Sequence, residues 1–171
     1  PDFMIKHCTR EFVGGKVRDM SEGRRKELVS IYEDMASRAL RVLAFAYKPL
    51  GEGFNQKEAE SELIFVGFQA MLDPPRREVK RAIQECGSAG IKVKMITGDS
   101  ILTARAIAKM IDLDGSEETS IEGHELDSLS EEDFDEVVRN RVVFARITPE
   151  LKFRIVQSLK KQKEIVAVTG D

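Results

Sequence analysis

Ile91-Lys92-Val93-Lys94-Met95-Ile96-Thr97-Gly98-Asp99 decides the fold. Ile91 to Ile96 reads as a strand, and Thr97-Gly98-Asp99 as the turn that ends it. Leu102 to Leu113 follows as a helix, with Ala104, Ala108 and Ile111 in register on one side. The preceding Arg76 to Cys86 segment suits another helix, with Val79 and Ile83 on its inner face, and opens after Asp73-Pro74-Pro75. Downstream, Asp114 to Gly123 reads as a surface loop and Ser130 as the cap of a Glu131 to Arg139 helix. Val142 to Ala145 is a strand, and Thr148-Pro149 opens a helix to about Lys161 that uses Ile155, Val156 and Leu159. Ile165 to Val168 is expected as a last strand, ending in Thr169-Gly170-Asp171. Strands separated by helices of this length imply an α/β, doubly wound parallel sheet. Ligands of such sheets bind at the carboxyl ends of the strands.

The amino-terminal part follows another pattern. Pro1 suits the start of a helical turn, and Gly14-Gly15 marks a two-residue hairpin between Phe12-Val13 and Lys16-Val17. Ser21 can cap a long helix with Leu28, Ile31, Tyr32 and Met35 on one side. Val42 to Tyr47 is a compact strand, Leu50 to Glu62 a polar loop, and Leu63 to Leu72 a buried strand. That last run is the longest apolar stretch, too short for a bilayer and broken by Gln69.

The 171 residues suffice for one ordinary domain or two small ones. At 42% hydrophobic and 33% charged, the chain falls outside the collagen-like and disordered classes. A net charge of −3, from 27 basic and 30 acidic residues, leaves no general nucleic-acid footprint. Pro1-Asp2-Phe3 lacks the basic start of a secretory signal, and the missing initiator Met suggests a chain cut from something longer. Cys8 and Cys86 have no metal-type spacing and read as buried thiols of a reducing compartment.

Two strands end in the same tripeptide, at Thr97-Gly98-Asp99 and Thr169-Gly170-Asp171. Each offers a hydroxyl, an open backbone amide and a carboxylate at the functional edge of the sheet. Hydroxyl and amide can hold phosphoryl oxygens, and carboxylate can hold magnesium. One copy alone would read as ordinary strand-end turn chemistry. Two copies at strand ends of one sheet favour phosphate chemistry. Lys152, near the start of its helix, can reach over the strand ends and neutralise phosphoryl charge. Arg146, just past its strand, has a similar opportunity. Standing alone, each would read as a solvated surface cation.

Met95-Ile96-Thr97-Gly98-Asp99 followed by Thr103-Ala104-Arg105-Ala106-Ile107-Ala108 resembles the P-type cation-transporting ATPases. So do Leu72-Asp73-Pro74-Pro75-Arg76, Phe144-Ala145-Arg146 with Pro149 and Lys152, and the final Thr169-Gly170-Asp171. Pro1-Asp2 resembles the tail of that family's Lys-Gly-Ala-Pro-Glu/Asp motif, and Arg41-Val42-Leu43-Ala44 its nucleotide-domain segment. The wording is most similar to calcium pumps. The resemblance implies that residues 1–72 are the C-terminal part of an α+β nucleotide-binding domain. Residues 73–171 would be a partial phosphorylation domain with a haloacid-dehalogenase-like sheet.

It implies ATP and Mg2+ as cofactors, the remainder of the polypeptide as partner, and the cytoplasmic side of a membrane protein as location. Thr97 and Gly98 would hold phosphate, Lys152 would stabilise the phosphoryl group in transfer, and Asp171 would bind magnesium. Arg41, Asp73, Arg76, Asp99 and Arg146 would contact or position the nucleotide. The family's nucleophilic Asp, in an Asp-Lys-Thr-Gly-Thr motif, is absent from these residues. Its strand would lie between those ending at Thr97 and Thr169, so the sheet is expected to be incomplete and the chain alone inactive. The rival readings are a non-catalytic nucleotide-binding or regulatory module, and a soluble haloacid-dehalogenase-like phosphatase with a replacement nucleophile.

Three further features read as structural. Asp112-Leu113-Asp114-Gly115-Ser116 comes after a helix rather than a strand, and Gly115 is too early for a calcium loop. His7 and His124 are far apart and read as surface or packing residues. Glu131-Glu132-Asp133 is a solvated first helical turn, favoured by the helix dipole.

Overall fold

The computed structural model describes residues 1–50 and 60–169. The chain divides into two compact units, Pro1–Asp73 and Pro74–Asp171.

In the first unit, α1 (Asp2–His7) leads into strand β1 (Cys8–Val13), which turns at Gly14-Gly15 into β2 (Lys16–Asp19). Both glycines have positive φ, 59° and 79°, the backbone a tight two-residue hairpin requires. Helix α2 (Glu22–Ser37) starts where Ser21 Oγ accepts the Arg24 amide, at 3.1 Å. Strands β3 (Leu40–Tyr47) and β4 (Leu63–Leu72) complete a mixed sheet of order β2-β1-β4-β3. β4 runs parallel to β1 and antiparallel to β3. Ile5, Cys8, Met20, Leu28 and Phe65 form the core of this unit. Arg25 ties its parts together: Nη1 donates to the carbonyls of Ile5 and Cys8 at 2.7 and 2.8 Å.

Two expectations need correction here. Ile31 is exposed, and Ala36 takes its place beside Leu28 and Tyr32 on the buried side of α2. β4 is buried only at Ile64 and Phe65, and its second half, ending at Met71 and Leu72, is exposed. The face carrying Leu43, Phe45 and Tyr47 of β3 is open as well. The loop expected at Leu50 to Glu62 lies largely outside the described residues.

The second unit alternates helix and strand. Its elements are α3 (Val79–Ser88), β5 (Met95–Ile96), α4 (Ile101–Met110), β6 (Ser120–Glu122), α5 (Gly123–Asp127), α6 (Glu131–Asn140), β7 (Val143–Ala145) and α7 (Pro149–Lys161). The strands form a parallel sheet of order β5-β7-β6. Val143, Phe144 and Ala145 of the central strand are fully buried. On one side Phe144 packs with Phe134, Val138, Leu151 and Ile155. On the other, Ala104 and Ala108 let α4 approach Val143 and Ala145 closely.

Four expectations change in this unit. The strand expected over Ile91 to Ile96 shrinks to Met95–Ile96, the residues that pair in register with Val143 and Phe144 of β7. The loop expected over Asp114 to Gly123 contains β6, whose Ser120 and Ile121 are buried, and Gly123 opens α5. Ile165 to Val168 joins no sheet among the described residues, and Ile165 is fully exposed. A strand needs a neighbour's amides and carbonyls, and among the described residues none pairs with this segment. Val79, Ile83 and Cys86 of α3 are only half-buried, so no residue of that helix reaches a core and Cys86 is not the buried thiol expected.

His7 caps its own helix face, with its ring stacked 4.2 Å from Phe3, and His124 is exposed beside Glu122. Among the described residues no helix is long and apolar enough to cross a membrane.

Candidate functional site

The carboxyl ends of β5 and β7 are laced together by backbone hydrogen bonds. The Thr97 amide donates to the Phe144 carbonyl at 2.9 Å, continuing the ladder one residue past β5. The Arg146 amide then donates to the Asp99 carbonyl at 2.9 Å, and the Ile147 amide to the Thr97 carbonyl at 3.0 Å. The chain can cross over in this way because Arg146 adopts a left-handed backbone, φ 51°. Thr97, Gly98, Asp99 and Arg146 therefore share one edge of the parallel sheet, where such sheets bind ligands.

Within the Thr97 turn, the Thr97 hydroxyl accepts the Asp99 amide and donates to Asp99 Oδ2, both at 3.1 Å. A bound anion would compete with the Asp99 carboxylate for that hydroxyl proton. Gly98 is exposed, has no positive φ, and a Cβ there would meet nothing within 4 Å. The fold does not require a glycine at this point, while close approach of a ligand to the backbone would.

Helix α7 begins immediately beyond. Thr148 caps it by accepting the Leu151 amide at 3.3 Å, and Pro149 fills a first-turn position. Lys152 lies on the next turn, its amide bonded to the Thr148 carbonyl at 2.9 Å. Its side chain is half-buried and makes no ion pair among the described residues. That leaves an ammonium close in sequence and backbone bonding to the strand ends.

Arg41 and Asp73 belong to the first unit. Arg41 is exposed on β3 opposite Met71, and Asp73 follows Leu72, the partner of Leu40, so both lie at one end of the β3–β4 ladder. Arg76 is exposed in the turn before α3. Asp171 and Gly170 lie outside the described residues. Among the described residues no group of three or more His, Cys, Asp or Glu could hold a metal ion.

Glu122 and Gly123 stand beside Arg146, a neighbourhood that local sequence does not show. Glu122 Oε1 lies 3.6 Å from Arg146 Nε and Oε2 lies 3.2 Å from His124 Nδ1. Gly123 lies under the Arg146 carbonyl, where a Cβ would stand 2.4 Å from the oxygen. The only sequence signal was Ser120-Ile121-Glu122, a strand too short to show alternation.

Residues 1–78 match the family model described as P-type ATPase, cytoplasmic domain N. The whole chain is 40% identical to a stretch of the calcium-transporting ATPase of Bacillus subtilis (strain 168), covering 19% of that protein. It is 42% identical, over 99% of its length, to 17% of the plasma membrane-type calcium-transporting ATPase 7 of Oryza sativa subsp. japonica. It is also 42% identical, over 86% of its length, to 17% of the cation-transporting ATPase pma1 of Synechocystis sp.. The chain thus spans about a fifth of the length of the curated relatives it matches. With this similarity carried through both compact units, the chain belongs to the P-type cation-transporting ATPases.

Proposed function

We propose that this chain is part of the ATP-binding and phosphorylation region of a cation pump, with calcium as the transported ion. Residues 1–72 are the end of the nucleotide-binding domain. Residues 73–171 are most of the phosphorylation domain, whose sheet is haloacid-dehalogenase-like. The calcium reading rests on the names of the relatives. The region works on the cytoplasmic side of the membrane, in keeping with the description of the matching family model.

The observation that carries this reading is the pair of hydrogen bonds from Arg146 and Ile147 to the Asp99 and Thr97 carbonyls. They hold a hydroxyl, an unhindered backbone turn and a guanidinium on one sheet edge, with the Lys152 helix starting next to it. Thr97 and the backbone at Gly98 hold the oxygens of the phosphoryl group. Lys152 offsets the negative charge that those oxygens carry during transfer. Arg146 and Asp99, with Arg41, Asp73 and Arg76, contact or position the nucleotide. The phosphoryl acceptor is the aspartate of the family's Asp-Lys-Thr-Gly-Thr motif, outside these residues. Mg2+, when bound, neutralises phosphate charge. Asp171 is the ligand this chain offers for it.

The test is Lys152→Ala in the full-length pump. Phosphoenzyme formation from ATP is expected to slow by roughly a hundredfold or more. Wild-type phosphorylation kinetics would return Lys152 to an ordinary surface lysine.

A further inference from the structure

Glu122 is held through both its backbone and its carboxylate. Its backbone amide donates to Glu125 Oε2 at 3.1 Å within a capping box at the start of α5. Its Oε2 faces His124 Nδ1 at 3.2 Å, and its Oε1 faces Arg146 Nε at 3.6 Å. The Glu122 side chain is 16% exposed and that of Arg146 46% exposed. Glu122 is therefore the more buried partner and Arg146 the more exposed one. The contact falls on Nε, at the root of the guanidinium.

The Arg146 backbone is fixed as well. Its amide is bonded to Asp99, its φ is left-handed, and its carbonyl rests on the bare Cα of Gly123. Backbone placement alone leaves a long side chain with several rotatable bonds, whose ordering costs free energy when a ligand binds. A carboxylate beside Nε removes part of that freedom beforehand. The same carboxylate also competes with a ligand's phosphates for the guanidinium. Positioning outweighs competition here, since one carboxylate at 3.6 Å opposes the several charges of a nucleotide phosphate chain.

We propose that Glu122 is a positioning residue for nucleotide binding, acting through Arg146. The inference rests on the reading of Arg146 as a nucleotide contact. The experiment uses the full-length pump with Glu122→Gln, Arg146→Ala and the double variant. KM for ATP, kcat and thermal stability are measured for each. Glu122→Gln keeps an oxygen for the capping box and removes the charge. A half-exposed ion pair predicts a rise in KM of about two- to fivefold, with kcat and thermal stability changed less. In the Arg146→Ala background the same change is expected to add nothing. A Glu122→Gln variant with wild-type or lowered KM, beside a raised KM in Arg146→Ala, overturns this inference alone. An equal effect of Glu122→Gln in both backgrounds also overturns it, because Glu122 then acts without Arg146. Wild-type KM in Arg146→Ala removes the reading of Arg146 and this inference with it.

Discussion

Gly98 and Gly123 are both glycines at the carboxyl edge of the parallel sheet, for different reasons. A Cβ on Gly98 enters open space, whereas one on Gly123 would stand 2.4 Å from the Arg146 oxygen. Gly98→Ala is therefore expected to leave thermal stability unchanged while slowing phosphoenzyme formation in the full-length pump roughly tenfold or more. Gly123→Ala should cost about 1–3 kcal/mol of stability, because backbone rather than a flexible side chain must move. Melting both variants distinguishes them, and an unstable Gly98→Ala would mean that packing, not ligand approach, needs that glycine.

Glu11 shows the same logic for charge. It is 2% exposed, between Arg18 Nε at 2.8 Å and Arg24 Nε at 3.0 Å. Burial pushes its pKa up, but the hydrogen bonds from Arg24 and Arg18 outweigh that and hold it below the ordinary glutamate value. Its contribution to stability is fully present above the ordinary glutamate value and is lost as pH falls through the depressed one. Glu11→Gln should cost about 1–3 kcal/mol at neutral pH and flatten the acid limb of the stability profile. Urea midpoints across the acid range check both. An acid limb as steep as wild type would show that other carboxylates govern it.

At the scale of elements, the open edge of β5 is the feature to explain. Among the described residues β5 bonds only to β7, and Ile165 to Val168 joins no ladder. Half-buried Val79 and Ile83 of α3 and exposed Ile91 and Ile165 leave apolar surface uncovered in the same unit. An unpaired parallel strand edge is an aggregation hazard. The family's nucleophile strand would supply partners on both of its sides. Supplying that Asp-Lys-Thr-Gly-Thr strand as a peptide or a fusion is expected to raise the melting temperature and reduce association. A cooperative, monomeric chain that the added strand leaves unchanged would defeat the central-strand argument. The helix starts at Ser21, Ser130 and Thr148 are legible in the sequence, since a cap is a contact over three residues. β6 is not legible, because three residues carry no periodicity and its burial is decided by β7 beside it.

At the scale of the whole molecule, each compact unit carries its own candidate residues. Arg41 and Asp73 lie in the first, while Thr97, Asp99, Arg146 and Lys152 lie in the second. Neither carries the Asp-Lys-Thr-Gly-Thr motif. The 171-residue chain by itself is thus expected to give no acid-stable phosphoenzyme with Mg-ATP and no turnover above a Lys152→Ala control. Labelling with γ-phosphate-labelled ATP after acid quench is the check, and a stable label would point to a replacement nucleophile within these residues.

The sequence by itself determined the α/β alternation, the hairpin, the helix caps and the family. Each rests on residues close together in the chain: a Gly-Gly pair, a hydroxyl three residues before an amide, a tripeptide at a strand end. Tertiary structure alone decided how long β5 is, that Ser120–Glu122 is a strand, and that Ile165 to Val168 pairs with no strand among the described residues. It also decided that Glu122 and Gly123 stand beside Arg146, more than twenty positions away along the chain. A strand exists only where another strand offers its amides and carbonyls, and a carboxylate finds its cation only once the sheet is assembled. Neither condition is written in local spacing.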